Sequence, residues 1–210
     1  MDEGTVIAVF VGGGAALVVV IVVAAIKFSA RSRERRRQAL ELVASQINGE
    51  VKLPGRWAEP LLSWESQGLP AALIYYSSGG QHPQYYTRLL YTLAAPPPFK
   101  FKVYLEGVLQ KLGKKLGGQD VQSGDPRFDG VFIVKASDEL RAQMVLGDAA
   151  LREAMLQLKD LGQSKHTVLE TQKQGALQIE KMNWIEAPEE LRSLVALGDQ
   201  VLAGYLKALG

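Results

Sequence analysis

Cysteine is absent from this 210-residue chain, and histidine occurs only at His82 and His166. The lack of cysteine excludes disulfides, thiol nucleophiles, thiolate metal sites and palmitoylation. Neither histidine has a motif partner for acid–base chemistry, so no catalytic residue is predicted and an enzyme is the less favoured class. No nucleotide-loop or other cofactor motif occurs, because the glycines and lysines of 113–118 lack the order of a phosphate-binding loop.

Charge is also absent from a long stretch near the N-terminus, residues 5–26, which contains 22 residues without Asp, Glu, Lys or Arg. About 20 apolar residues suffice to cross the hydrocarbon core of a bilayer. We therefore predict a short tail, 1–4, followed by a single transmembrane helix, 5–26. A cleaved signal peptide with its site near 23–25 is the alternative, but it requires a basic start and a shorter apolar run.

Small residues recur every four positions within this stretch and share one helix face. At that spacing two membrane helices can approach closely, which predicts a dimer contact, although glycine and alanine are also common in membrane helices generally. The predicted contact residues are Ala8, Gly12 and Ala16.

Six basic residues and one acidic residue follow the apolar stretch within 27–37, although the net charge of the whole chain is only +2. Basic residues stay on the cytoplasmic side, so we expect the N-terminus outside and the rest of the chain in the cytoplasm. The same residues predict contacts with the bilayer and with anionic lipid head groups. They are Lys27, Arg31, Arg33, Arg35, Arg36 and Arg37. The balanced charge beyond them argues against a nucleic-acid partner.

The segment 27–49 is predicted to be a basic juxtamembrane helix that ends at Asn48 and Gly49, because its apolar residues recur at helical spacing. Residues 50–210 are long enough for one domain. Alternating patterns within 56–106 predict an antiparallel meander of about four strands, including 69–77, 85–93 and 99–105. The fold class is therefore α+β.

The second half of the domain alternates helices and strands. A short helix is expected near 107–116 and a strand over 131–136. Ser137 is predicted to cap a helix over 138–146, and Asp148 a helix over 149–161. Two strands, 167–171 and 176–184, precede an amphipathic C-terminal helix over 188–208.

The densest polar cluster, 119–130, contains Asp120, Asp125 and Asp129. Carboxylates are the ligands that hard divalent cations prefer, so these residues suggest a metal site. The spacing does not match a calcium loop, and turn formation by Asp-Pro and Asp-Gly is the favoured interpretation.

Tyrosine is concentrated between 75 and 104, where two adjacent pairs occur within strands. Neighbouring strand residues point to opposite faces, so one member of each pair is expected to face solvent or a partner. Tyr76 and Tyr86 are the predicted partner-facing members, while packing under a helix is the alternative. The expected partner is another protein or a second copy of the chain.

The segment 125–134, a strand of the type Phe-Asp-x-x-Phe-x-Val, and the helix that follows through 158 resemble a pattern in uncharacterised bacterial membrane-anchored proteins. The similarity covers about 35 residues and implies no functional residue. It implies a bacterial inner-membrane protein without an assigned reaction.

These observations predict a single-pass membrane protein whose cytoplasmic α+β domain is a binding or assembly module. Two alternatives follow from the same residues. One is a metal-dependent, hydrolase-like enzyme that uses Asp120, Asp125 and Asp129. The other is a lipid-binding domain at the membrane surface.

Overall fold

The computed structural model describes residues 29–55, 58–105 and 119–209. The predicted transmembrane segment, its dimer face (Ala8, Gly12, Ala16), Lys27 and the short helix expected near 107–116 lie outside these ranges. In the described ranges no helix combines the length and the apolar character needed to cross a membrane.

The described chain begins with helix α1, residues 29–47, which contains the five arginines of the basic segment. Its apolar face buries Leu40 and Val43 in the main hydrophobic core. The helix ends where Asn48 adopts a left-handed backbone conformation, with φ 54°. Helix α1 therefore shares one core with the strands that follow it.

Within the described ranges, nine strands form one antiparallel sheet with the order β1-β2-β3-β4-β9-β8-β5-β7-β6. The strands are β1 Glu50–Lys52, β2 Leu61–Ser66, β3 Leu69–Ser77, β4 Tyr85–Thr92, β5 Phe101–Leu105, β6 Gln119–Asp120, β7 Phe132–Ala136, β8 Thr167–Gln172 and β9 Ala176–Met182. The predicted α+β class with an antiparallel sheet is thus confirmed.

The meander predicted within 56–106 is correct only for β2 to β4, and β1 lies before that range. Strand β5 follows the Pro-rich segment 96–98 but does not pair with β4. Strand β9 pairs with β4, and β5 lies between β8 and β7. The alternation of a strand fixes which face is buried but not which neighbour it pairs with, so this crossover was not predictable from the pattern.

After α1, the described residues contain four further helices: α2 Pro126–Asp129, α3 Glu139–Leu146, α4 Ala149–Asp160 and α5 Pro188–Leu209. Aspartate side chains cap three of them by accepting backbone N–H groups. The cap of α3 is Asp138, so the assignment of Ser137 as the cap is wrong by one residue. Ser137 instead bonds the backbone N–H of Lys100 through its hydroxyl oxygen.

The described helices lie on one face of the sheet. Helix α5 approaches β4 at Gly198, where an added Cβ would meet Leu89 and Tyr91 at 2.3 and 2.4 Å. At the C-terminal end of α4, the ammonium of Lys181 reaches the carbonyl of Leu158 at 2.7 Å. All of these strand residues belong to the same face, which leaves the opposite face without a described helix on it.

Candidate functional site

The open face of the sheet, the one without a described helix, is organised in rows by the strand register. One row runs across β3, β4 and β9 through Tyr76, Tyr86 and Met182. The next row aligns Arg88 of β4 with Glu180 of β9. These five side chains therefore converge in the middle of the sheet, where neighbours in a row are about 5 Å apart.

Two tyrosines form an aromatic stack on this face. The rings of Tyr76 and Tyr86 lie 4.9 Å apart with an angle of 14° between their planes. The guanidinium of Arg88 lies 4.1 Å from the centre of the Tyr76 ring. The hydroxyl of Tyr86 donates to Gln84 at 2.9 Å. Because both rings are held by neighbours, the stack is a preorganised contact surface.

Glu180 is the centre of the polar contacts. Arg88 donates to one carboxylate oxygen at 2.8 Å through Nη2 and at 3.2 Å through Nε, and the Tyr76 hydroxyl donates to the same oxygen. Burial opposes ionisation of Glu180, but the surrounding donors outweigh burial and lower its pKa to about 2. Burial and the hydrogen bond to Glu180 raise the pKa of Tyr76. Glu180 is therefore a permanently charged, paired carboxylate and is unsuited to act as a base at neutral pH.

His166 lies at the edge of the same cluster. Its Nε2 is 3.8 Å from the second oxygen of Glu180, which is too far for a hydrogen bond. Its ring meets Tyr86 edge-on, with 6.1 Å between ring centres. Within the described residues Nε2 is buried and makes no hydrogen bond. It is therefore a polar atom of the cluster that a bound group could still engage.

A third row continues the polar surface through Gln178, Glu170 and Lys102. Gln178 donates to Glu180 at 3.3 Å, and Lys102 pairs with Glu170 at 3.1 Å. Together the rows line a shallow concavity of about 740 Å³. Because its charges are paired with one another, this surface suits recognition by shape and hydrogen bonding better than by bulk charge.

The two tyrosines predicted to face a partner both lie on the open face. Their neighbours point the other way: Tyr75 is buried and donates to the carbonyl of Ile185 at 2.7 Å, and Tyr85 lies over Trp184. Partner binding by Tyr76 and Tyr86 stays a prediction.

The arginines predicted to contact the membrane differ in how far they are exposed to solvent. Arg31 and Arg35 are exposed, and Arg33 and Arg37 are half-buried. Arg36 is only 2% exposed and pairs with Glu59 at 2.8 Å and Glu186 at 2.7 Å. For Arg36 the structure contradicts a membrane-surface role, because its guanidinium is consumed by contacts within the domain.

The three aspartates suggested as metal ligands have separate structural roles. Asp120 pairs with Lys135, and Asp125 caps α2 and pairs with Arg152. Asp129 accepts hydrogen bonds from the backbone and hydroxyl of Ser123 and from the backbone of Gly124. Across residues 29–55, 58–105 and 119–209, no group of three or more His, Asp or Glu residues is arranged to hold a metal ion. Turn chemistry therefore accounts for this segment.

The sequence pattern did not single out Arg88, Glu180 or His166. Arg88 and Glu180 occupy ordinary polar positions of alternating strands, and they are 92 residues apart in the chain. Only the pairing of β4 with β9 brings them together. The available signal was the position of Arg88 two residues after Tyr86, which places both side chains on one face.

Comparisons with known proteins add little to this geometry. No protein-family model matches the chain, and no curated protein matches it. Among solved structures, the mycobacterial trehalose monomycolate transport factor A (TtfA) aligns with a TM-score of 0.46 and 11% identity, over 79% of this chain and 93% of that one.

Proposed function

We propose that this chain is a single-pass membrane protein whose cytoplasmic domain binds a protein partner through the open face of its sheet. The observation that carries the proposal is the ordered aromatic and polar surface on that face: the Tyr76–Tyr86 stack, held by Arg88 and Glu180. Tyrosine and arginine are favoured at the centres of protein interfaces. The charges next to this stack, Arg88 with Glu180 and Lys102 with Glu170, are paired, so a partner is selected there by fit rather than by attraction at a distance.

The proposed anchor is the uncharged stretch 5–26. Helix α1 is described from residue 29, three residues beyond that stretch, and its Arg36 is locked onto the domain. Three residues span at most about 10 Å. The domain would therefore sit close to the bilayer, with little freedom to move away from it.

Topology is tested first, by protease treatment of sealed inner-membrane vesicles that expose the cytoplasmic side. We expect the protease to degrade the C-terminal domain without added detergent, because the domain would lie on the exposed side of these vesicles. A domain protected from protease in these vesicles, and degraded only after detergent, would overturn the orientation.

The recognition surface is tested by photo-crosslinking in the native membrane. Benzoylphenylalanine is placed at Tyr86 on the open face or at Leu140, which is 69% exposed on helix α3. We expect a single defined protein adduct from position 86 and none of that mass from position 140. Tyr76→Ser, which removes the stacked ring, should reduce the yield of this adduct.

The mass of the adduct identifies the kind of partner. An adduct with twice the mass of the chain would show that the partner is a second copy of the chain and not another protein. Equal products from both positions, or no adduct from position 86, would overturn the assignment of the open face.

A second candidate, contact of the domain with lipid, is favoured by a groove of about 430 Å³ beside α1. Arg33 and Arg37 border this groove together with Leu53, which is 52% exposed. Because the chain has no cysteine, a single environment-sensitive dye can be attached at Leu53→Cys or, as the control, at Leu140→Cys. In nanodiscs with anionic lipid, a blue shift at position 53 alone would support this contact, and equal spectra would dismiss it.

A further inference from the structure

Four lysines surround one pocket at the end of the sheet where β5 begins and β7 ends. The pocket measures about 310 Å³ and is bordered by the hairpin that joins β8 to β9. Its basic residues come from three parts of the chain: Lys100, Lys102, Lys135 and Lys173. Glu170 is the one acidic residue among those that line it. A volume of this size falls at the lower end of the range for small-molecule sites.

The floor of the pocket contains a like-charge pair. Lys102 and Lys135 lie directly opposite each other in the β5–β7 register. Like charges at opposed positions destabilise a sheet, and burial increases the cost. The Lys102 side chain is only 11% exposed. Glu170 pairs with Lys102 and Asp120 pairs with Lys135, so the two opposed lysines are tolerated and these four residues together carry no net charge.

The rim of the pocket adds two further cations. Lys100 and Lys173 are exposed, and neither has a carboxylate partner within the part of the chain that the structure describes. The hydroxyl oxygen of Ser137 accepts from the backbone of Lys100 at 3.0 Å, so its own proton is available to donate. With both internal ion pairs counted, the pocket retains a net charge of about +2, that of the two rim lysines.

We infer that this pocket binds a phosphate-bearing anion, with Lys100 and Lys173 closing on the phosphate above the Lys102–Lys135 floor. A phosphate monoester carries a charge near −2, which matches the rim, and its oxygens accept hydrogen bonds from ammonium groups and from Ser137. The phosphate can belong to a soluble molecule or to a lipid head group. This site shares the Lys102–Glu170 pair with the open face, but its rim lysines lie outside the concavity of Tyr76 and Tyr86, so the inference does not rest on the partner proposed there.

The experiment uses the full chain in mild detergent and measures binding by isothermal titration calorimetry. The probes are pyrophosphate, dihexanoyl phosphatidic acid and, as a lipid without a monoester, dihexanoyl phosphatidylcholine. The test variant is Lys100→Gln with Lys173→Gln, both exposed and therefore compatible with folding. The matched control is Lys52→Gln with Lys165→Gln, which removes the same charge from exposed positions outside the pocket.

We expect binding of pyrophosphate and of phosphatidic acid to weaken roughly tenfold or more in the test variant and to stay within about twofold in the control. Binding of pyrophosphate indicates a soluble ligand, and binding of phosphatidic acid alone indicates a head group. The inference would be overturned if neither probe binds. It would also be overturned if both double variants lose the same binding affinity, because diffuse surface charge behaves in that way. Thermal unfolding of each variant verifies that the fold is retained.

Discussion

Replacing Arg36 tests how the basic helix is joined to the domain. The guanidinium of Arg36 donates to Glu59 at 2.9 Å, to Glu186 at 2.7 Å and to Ser32 at 2.8 Å. It also stacks on Trp184, with 3.9 Å to the ring centre. Arg36→Ala therefore removes the hydrogen bonds, the stacking contact and the charge that compensates two carboxylates.

The size of the effect follows from burial. Removing one member of a buried ion pair costs about 3–5 kcal/mol, because the other member stays buried and uncompensated. Glu59 and Glu186 are 23% and 37% exposed, so water replaces part of the lost contact. We therefore take the lower limit, about 3 kcal/mol, which for a domain of this size corresponds to a fall in Tm of roughly 6–12 °C. Arg36→Lys retains the charge but loses the planar fork and the stacking, so its effect should be intermediate.

The measurement is thermal unfolding of the full chain in mild detergent, followed by near-ultraviolet circular dichroism and tryptophan fluorescence. Arg37→Ala is the control, since Arg37 is 39% exposed and pairs with Glu34 and Glu41 on its own helix. Exposed helix pairs contribute less than about 0.5 kcal/mol each. A Tm for Arg36→Ala within 2 °C of the parent chain (about 0.7 kcal/mol), or an equal loss in Arg37→Ala, would refute the argument.

Three further changes probe the core and the aspartate turn. Burial lowers the pKa of Lys181 to about 8, below its value in the unfolded chain. Above pH 8 the unfolded chain therefore binds more protons than the folded chain, so the free energy of unfolding should rise from pH 8 to 9.5 relative to that of Lys181→Met. Parallel stability–pH profiles for the two proteins would contradict this. Burial raises the pKa of Tyr205 to about 12, whereas a tyrosine in the unfolded chain ionises at about pH 10. The comparison therefore stops at pH 9.5, before ionisation of tyrosine in the unfolded chain changes the stability. Gly198→Ala should lower the Tm by a few degrees. The clash of the added Cβ with Leu89 costs about 1–3 kcal/mol, which exceeds the gain of about 1 kcal/mol in helix propensity. A higher Tm would show that the helix can shift to make room for the methyl group. Asp129→Ala should lower the free energy of unfolding by about 1–3 kcal/mol, because the N–H groups of Ser123 and Gly124 lose their acceptor. EDTA should leave the stability of the parent chain unchanged, and a loss of stability on its addition would restore the metal hypothesis.

Local signals in the sequence predicted the elements of this fold better than their arrangement. Leu69–Ser77 has the predicted bounds, and α5 begins at the predicted Pro188. Hydrophobic spacing and caps act over a few residues, so they are visible in one sequence. The position of β5 between β8 and β7 depends on pairs that are 27–35 residues apart in the β5–β7 register and 64–68 residues apart in the β5–β8 register. No local pattern encodes these pairings.

The candidate site was predictable only in its local part. Alternation within β3 and β4 correctly separates Tyr76 and Tyr86 from the buried face. Arg36 shows the opposite case: as one of several arginines it looks like a surface charge, but Trp184 and Glu186, about 150 residues away, enclose it. A charge pattern reports which residues are basic and does not report which of them a distant loop will cover.

The one-sided packing of the described helices bears on both of the proposed binding surfaces. Burial of one sheet face by α1 and α5 supplies the main core. The other face has a smaller buried cluster around Tyr104 and Val168 and presents polar side chains beside it. On that face the strand register places Arg88 opposite Glu180 and Lys102 opposite Glu170, so the central charges neutralise one another. Uncompensated charge remains at the end of the sheet, at Lys100 and Lys173. The proposed protein surface therefore lies where charges are paired and the proposed anion pocket where they are not, and the two share the Lys102–Glu170 pair at their border.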